Sequence, residues 1–293
     1  MSTTSGQGVI HDLGYRHYDG LRAGRQYIAR ALFLESAKGA YGLGRSAKSK
    51  IMPMLLLAAV CIPAFIMVVI AAVTDEGLPG NYTEYVINVS PFIMIYVAGQ
   101  APANVSRDLR FRVVSLYFSR PLERVDYVLA KYASMTAALF VFMALPLTIL
   151  FVGALLVKLP IDEQVPDYLR SLAGALMVAL VLAGIGLVIA AITPRRGLGV
   201  AAIIAVLAVI TGVQGAVQAI AVEQGADTLA GYAGLFSPFT LVQGVMSSVL
   251  GAEEVLPAEP PGALGGAVFL ATTFLLVAAF FGALLLRYRK VSI

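Results

Sequence analysis

The chain has 293 residues, of which 59% are hydrophobic and only 13% are charged, and its mean hydropathy is +0.85. A water-soluble domain carries about 25% charged residues, and no core of ordinary size could hold this surplus of apolar side chains. The composition therefore excludes a soluble domain and indicates a protein for which lipid is much of the solvent. The formal charge of +4 could indicate nucleic acid as a partner, but the distribution of the charges argues against it.

Six apolar stretches predict an all-α, polytopic membrane protein. At about 1.5 Å rise per residue, even the shortest of them covers the roughly 30 Å of a bilayer's hydrocarbon. Helices are the natural spanning form, because each backbone amide finds its partner within the segment. The second stretch is the weakest, since Pro91 and Pro102 are expected to kink it or end it early. The predicted spans are 51–73, 86–106, 132–157, 171–192, 198–222 and 263–286.

The basic residues determine the orientation of these spans. With the N-terminus inside, the cytoplasmic pieces 1–50, 107–131, 193–197 and 287–293 hold 19 of the 21 Lys and Arg residues, whereas 11 of the 17 acidic residues lie outside. Because Lys and Arg resist translocation, this asymmetry predicts that both termini are cytoplasmic. The inverted topology would carry 19 basic residues across the membrane and is rejected.

The first 50 residues form a basic lead-in to the six-span domain, 51–293. Leu21, Ile28 and Leu32 would share one stripe of a helix, although Arg25 lies close to it. One interpretation is an interfacial helix that anchors the chain to anionic lipid headgroups. A second interpretation is a helix that also contacts a cytoplasmic partner, and the two can hold together.

Segment 107–131 is too charged to span a membrane and too patterned for a slack linker. Its first half places aromatic and aliphatic side chains among arginines, and Pro121 is expected to open a new helix that continues into the third span. Aromatic and arginine residues are typical anchors of protein interfaces. The pattern favours a docking helix at 107–118, and a solvated loop with ordinary cytoplasmic positive charges is the alternative.

The polarity inside the predicted spans is neutral. Thr211, Gln214 and Gln218 follow an i, i+3, i+7 spacing, which places them on one face of the fifth span. Two interpretations stay open for them. They could form a hydrogen-bonded seam between helices or between two copies of the chain, or they could line a translocation pathway.

No catalytic centre is expected in this chain. The predicted spans contain no ionisable residue apart from their ends, which argues against an intramembrane enzyme and against proton-coupled transport. The two histidines, His11 and His17, lie six residues apart, which is not the spacing of a helical metal pair. We therefore expect no metal and no cofactor in this chain.

The last outer loop, 223–262, is acidic and long enough to require structure or a function of its own. Ser237 followed by Pro238 is typical of an N-cap and a first helical residue. The stretch 235–250 is short and polar for a seventh span, and a seventh span would also export the basic C-terminal tail. A re-entrant or interfacial helix is predicted here instead.

These features together resemble the membrane subunits of ATP-binding-cassette (ABC) transporters of the type-2 exporter class. The most specific string is SRPLERVDYVLAKY, and a weaker one is SPFTLV, which begins at Ser237. The residues of the first string that resemble the family pattern are Ser119, Arg120, Pro121, Arg124, Tyr127 and Lys131. Unlike members that carry their ATPase in the same polypeptide, this chain contains no nucleotide-binding domain in its sequence.

The resemblance implies a permease subunit that pairs with a second copy or a paralogue and exports an amphipathic or hydrophobic substrate. ATP and Mg²⁺ would then bind a separate cytoplasmic ABC ATPase, and 107–118 would be the coupling helix that docks into it. The location implied is a prokaryotic plasma membrane, with lipids as further partners and no nucleic acid. A non-transporting scaffold or assembly factor is the alternative. The coupling residues implied are Arg107, Asp108, Arg110, Arg112, Tyr117, Phe118, Arg120, Glu123 and Arg124.

Overall fold

The computed structural model describes residues 20, 24–74, 77–110, 117, 122–193, 195–253, 255 and 257–290, with the side chains at 107, 109, 110 and 263 excepted. This part of the chain is helical and contains no strand, which confirms the all-α prediction for these residues. A short 3₁₀ turn, Gly234–Phe236, separates the eighth and ninth helices. The helices are α1 (Arg25–Ala40), α2 (Ala47–Thr74), α3 (Tyr82–Asn88), α4 (Ser90–Arg110), α5 (Arg124–Leu156), α6 (Ile161–Ile192), α7 (Arg196–Glu223), α8 (Asp227–Ala233), α9 (Pro238–Leu250) and α10 (Gly262–Arg289).

Five of the described helices, α2, α5, α6, α7 and α10, are long and apolar enough to cross a membrane. They coincide with five of the six predicted spans, but most extend beyond the predicted limits. Helix α5, for example, has 33 residues and begins at Arg124 instead of 132. At about 1.5 Å per residue it is roughly 50 Å long, so several turns lie beyond a hydrocarbon layer of about 30 Å. Hydropathy predicted the apolar centre of each helix and missed the charged turns at its ends.

The remaining predicted span, 86–106, is a bent pair of helices. Helices α3 and α4 meet at an angle of 57° across Val89, so they form a sixth span only if the pair is counted as one crossing. Pro91 is the second residue of α4, a position where its missing N–H leaves no hydrogen bond unmade. The sequence predicted that prolines would kink this span or end it early: the bend lies close to Pro91, whereas Pro102 lies inside α4 and does not end it, since α4 continues to Arg110.

Helix α6 is the centre of the bundle. In its most apolar stretch 61% of the residues are buried, against 22% for α2 and 17% each for α7 and α10. It packs against α3, α4, α5, α7, α9 and α10. A Cβ at Gly186 would lie 2.9 Å from the Cβ of Ala101 and 2.8 Å from a methyl carbon of Val97, so glycine lets α4 approach α6 closely. The exposed apolar faces of α2, α7 and α10 form the periphery.

The lead-in helix α1 packs along α5 and also contacts α4. Leu32, one residue of the predicted apolar stripe, is buried, and Leu21 lies outside the described residues. At the end of α1, the Tyr41 hydroxyl donates a hydrogen bond to the carbonyl oxygen of Ala138 in α5, 2.7 Å away. Burial raises the pKa of Tyr41 to about 12, so this phenol keeps its proton and remains a donor. The lead-in helix α1 is therefore anchored to the bundle by its buried face and by the Tyr41 hydrogen bond.

The contact between α4 and α6 predicts the effect of a larger residue at Gly186. We expect Gly186→Leu to destabilise the fold by about 1–3 kcal/mol, because the Ala101 Cβ is fixed to its backbone and cannot move away. Gly212→Leu in α7 is the matched control, since nothing lies within 4 Å of a Cβ at that glycine. Thermal unfolding in detergent, followed by circular dichroism, measures both. Equal melting temperatures for the two variants would contradict the packing described.

Candidate functional site

The coupling residues implied by the sequence are divided between described and undescribed parts of the chain. Asp108 lies in the last turn of α4, as do the backbones of Arg107 and Arg110, and Glu123 and Arg124 lie at the start of α5. Arg112, Phe118 and Arg120 lie outside the described residues. Most of the coupling helix predicted at 107–118 therefore stays a prediction. The structure instead describes the two helix ends from which this segment departs.

Helix α5 begins three residues after the position expected from Pro121. Its first residue is Arg124, and its N-cap is Glu123, whose backbone N–H donates to the Asp126 carboxylate at 3.1 Å. This bond satisfies one of the N–H groups that a helix start leaves without an intrahelical partner. The expectation that Pro121 opens the helix is wrong, because Leu122 and Glu123 are not helical.

A buried ion pair joins the last turn of α4 to α5. The Lys131 ammonium lies 2.9 Å from an Asp108 carboxylate oxygen, and the two side chains are 9% and 19% exposed. The ammonium also donates to the backbone oxygen of Asn104 at 2.9 Å and to its Oδ1 at 3.2 Å. Each of the three N–H donors of the ammonium thus has an oxygen acceptor, which is the condition for burying a lysine charge.

Two tyrosines complete this group, which we name the polar junction and define as Asn104, Asp108, Tyr127, Lys131 and Tyr288. The Tyr127 hydroxyl donates to Asp108 at 2.8 Å, and its ring centroid lies 5.7 Å from the Lys131 ammonium nitrogen. The Tyr288 ring of α10 packs edge-on against Tyr127, with 5.0 Å between centroids. The polar junction therefore holds three helices, α4, α5 and α10, at one end of the bundle.

The start of α1 is attached close by. Arg25 forms a two-pronged ion pair with Asp126, with its Nε 2.6 Å and its Nη2 2.9 Å from the two carboxylate oxygens, and it also pairs with Glu123. The hydrogen bond that Arg25 donates to Asp126 raises the pKa of Arg25. The Arg25 and Glu123 side chains are 48% and 63% exposed, so these ion pairs orient α1 more than they stabilise the fold.

A polar cavity of about 390 Å³ lies between α1, the connection to α2, and the polar junction. It is lined by two acidic and two basic side chains, Glu35, Asp108, Arg45 and Lys131. The opposite charges balance, so the cavity does not favour an anion or a cation by net charge. Among the described residues no cluster of three or more His, Cys, Asp or Glu could hold a metal ion.

Thr211, Gln214 and Gln218 lie on one face of α7, and that face packs against the chain between α7 and α9. The Gln214 side chain donates to Gln218 Oε1 at 2.7 Å, and Gln218 lies 3.4 Å from the carbonyl oxygen of Ala230 in α8. The Thr211 and Ser237 hydroxyls are 3.4 Å apart. The two glutamines are buried, and their contacts are those of a seam within one chain. A role in translocation stays a prediction.

The predicted helix of the last outer loop is present as α9. It begins at Pro238 after the N-cap Ser237, as the sequence indicated, and ends at Gly251 in the left-handed conformation. Sequence reasoning missed the short helix α8 and the role of Lys131. The i, i+4 spacing of Tyr127 and Lys131 was the signal for the latter, because it places both side chains on one face of a helix.

The polar junction predicts that Lys131 and Asp108 depend on each other. Lys131→Met leaves the Asp108 carboxylate, which is 19% exposed, without its cation, and breaking a largely buried pair from one side typically costs up to about 3–5 kcal/mol. We expect the double variant Lys131→Met with Asp108→Leu to recover part of this loss, in a double-mutant cycle of thermal unfolding. The ion pair of Arg25, whose side chain is 48% exposed, is the control, and Arg25→Gln should lower the stability less than Lys131→Met does. A Lys131→Met variant as stable as Arg25→Gln would contradict the burial described.

Comparison of the chain with family models finds no match, and comparison with curated proteins finds none either. The assignment of a function therefore depends on the residues and contacts of this chain alone.

Proposed function

We propose that this chain is the permease subunit of an ATP-driven ABC exporter, energised by a separate cytoplasmic ATPase. Two permeases, identical or paralogous, would enclose the pathway of an amphipathic or hydrophobic substrate. The ATPase would carry the ATP and Mg²⁺, and this chain would carry no catalytic residue. The coupling helix would lie in the segment between α4 and α5.

The observation that supports the proposal most directly is the attachment of both ends of this segment. Asp108 precedes it and Lys131 follows it, and their buried ion pair fixes the end of α4 to α5. A force applied to residues 111–121 would therefore reach two helices of the bundle together. This is what a docking element must do if it is to change the arrangement of a transmembrane pathway.

A second supporting observation is the distribution of packing. Helix α6 is enclosed, whereas α2, α7 and α10 expose apolar faces along much of their length. In a membrane such faces pack against lipid or against other helices, so a second permease could pack on one of them. A scaffold or assembly factor that transports nothing would have the same exposed faces, and it would function without any ATPase.

The proposed topology makes a prediction of its own. In a Cys61→Ser background, we expect Asp162→Cys to react in intact cells with a maleimide that cannot cross membranes. Lys48→Cys should react only after the membrane is made permeable, because the basic lead-in is cytoplasmic. Both residues are exposed, so burial does not mask the reaction. Labelling of Lys48→Cys in intact cells would contradict the topology.

Co-purification with an ATPase tests the function itself. The chain is co-expressed with an ATPase that carries Walker motifs and is encoded beside it, and complex formation and ATP hydrolysis are measured across a panel of lipids and hydrophobic drugs. We expect Arg120→Ala to weaken the complex by roughly 30-fold, as for an arginine at the centre of an interface.

Arg170→Ala is the matched control, since Arg170 lies near the start of α6, on the side of the membrane predicted to be outside. It should leave the complex and its ATP hydrolysis unchanged. Failure to form any complex, or equal effects of Arg120→Ala and Arg170→Ala, would contradict the proposal. Normal biological function of the chain in cells that lack the ATPase would favour the scaffold instead.

A further inference from the structure

Two cavities lie beside the contact between α6 and α10, and residues of α7, α9 and the 3₁₀ turn also line the larger one. The larger, of about 410 Å³, is entirely apolar in its lining residues, which include Val181, Ile185 and Phe280. The smaller, of about 300 Å³, is lined by Leu284, Arg287 and Lys290 among others. Val188 lines both cavities, so they are adjacent. Each is at least twice as large as a cavity of about 150 Å³ that accommodates benzene.

The shared residue Val188 and the spacing of the other lining residues place the two cavities end to end along α6 and α10. On α6 the residues Val181, Ile185, Val188 and Ile192 recur every three or four positions, and α10 has a parallel series from Leu276 to Arg287. Each series therefore follows one face of its helix. The stretch from Val181 to Ile192 is about 17 Å long at 1.5 Å per residue, close to the roughly 15 Å of one bilayer leaflet. We name this feature the α6–α10 groove.

The lining of the groove changes from apolar to basic along its length. Arg287 and Lys290 line its end, and the Arg287 Nε donates to the carbonyl oxygen of Ala191 at 3.1 Å, in the last turn of α6. This bond holds the guanidinium beside the end of the groove. Within the described part of the chain, no ion pair is formed by Arg287 or Lys290. Two cationic groups thus lie at the end of an apolar groove whose length is close to the thickness of one bilayer leaflet.

Close packing keeps the groove open on its apolar side. A Cβ at Gly184 would lie 2.5 Å from a ring carbon of Phe280, so the ring lies directly on the α6 backbone. The Phe280 side chain can therefore form a wall of the groove without filling it. The outer faces of α2 and α7 are also apolar and exposed, and α7 lines the larger cavity with Val206 and Ile210, but neither helix contributes a basic side chain to the cavities described.

We infer that the α6–α10 groove binds an anionic phospholipid, with one acyl chain along Val181, Ile185 and Val188 and the phosphate beside Arg287 and Lys290. An apolar channel that ends in two cations is complementary to a hydrocarbon tail with an anionic head. The inference requires only that the chain lies in a membrane, and it stands whether or not the chain is an ATP-driven exporter. A bound lipid could be a stabilising component or the cargo of the proposed transport.

Lipid titration of the purified chain in detergent, measured by native mass spectrometry, tests the inference. The probes are phosphatidylglycerol, phosphatidylcholine with the same acyl chains, and glycerol 3-phosphate, which has the anionic group and no tail. We expect phosphatidylglycerol to bind most tightly, because its headgroup is anionic whereas that of phosphatidylcholine has no net charge. One cation near an anionic headgroup changes the affinity of the chain for the lipid by about fivefold. Glycerol 3-phosphate should not compete with it. Equal affinity for the two lipids, or competition by glycerol 3-phosphate, would overturn the inference.

Matched variants locate the site. Lys290→Gln should lower the affinity for phosphatidylglycerol about fivefold. Arg289→Gln removes the same charge from the adjacent residue, which does not line the groove, and should change this affinity little. Val188→Trp should abolish binding by filling the point that the two cavities share, and Val209→Trp on an exposed face of α7 should not.

Equal effects within either pair of variants would overturn the inference. If Val188→Trp does not fold, Ala283→Leu narrows the smaller cavity and is expected to weaken binding of phosphatidylglycerol in the same way. Circular dichroism and gel filtration identify the variants that keep the native fold. A diazirine-bearing phosphatidylglycerol should, in addition, label peptides of α6 and α10, and labelling confined to α2 would contradict the site.

Discussion

The charge of Lys131 can be buried only if it is compensated, and this requirement determines how α4, α5 and α10 meet. An ammonium removed from water loses several kcal/mol of hydration unless acceptors replace the water around it. Here Asp108 and Asn104, both from α4, supply those acceptors. Tyr127 donates to the same carboxylate oxygen of Asp108 that contacts Lys131, and Tyr288 of α10 packs against the Tyr127 ring.

The rest of the bundle obeys a weaker and more distributed constraint. Lipid tails are as apolar as leucine, so helices in a membrane associate by close packing and not by a hydrophobic driving force. Gly186 and Gly184 of α6 meet Val97 and Phe280 at distances that a larger residue could not accept. The centre of the fold is therefore specified by small residues on α6, and one end of it by the polar junction. Neither constraint extends to the outer faces of α2 and α7.

Hydropathy was sufficient to predict the five long helices because it is a local property of each segment. The five long candidate spans and α9 with its Ser237 cap follow from runs of residues adjacent in the chain. The pairing of Asp108 with Lys131 does not, because these residues are 23 positions apart and no periodicity links them. For the same reason the spacing of Gln214 and Gln218 predicted a common face but not that α8 would cover it. Pro102 shows the converse, since a helix held by its neighbours continues through a residue that would end it in isolation.

The polar junction and the α6–α10 groove share one turn of α10. Tyr288, which covers Tyr127, lies between Arg287 and Lys290, which line the end of the groove. A lipid phosphate at those two cations would contact the turn that also closes the polar junction, and Tyr127 links that turn to Asp108 at the end of α4. A ligand shifts a conformational equilibrium only by the difference in its affinity for the two states. If the turn moves when the segment between α4 and α5 is displaced, a lipid in the groove will favour one position of that segment over the other. The same contacts make the effect reciprocal, so a partner that binds the segment will change the affinity of the groove for lipid.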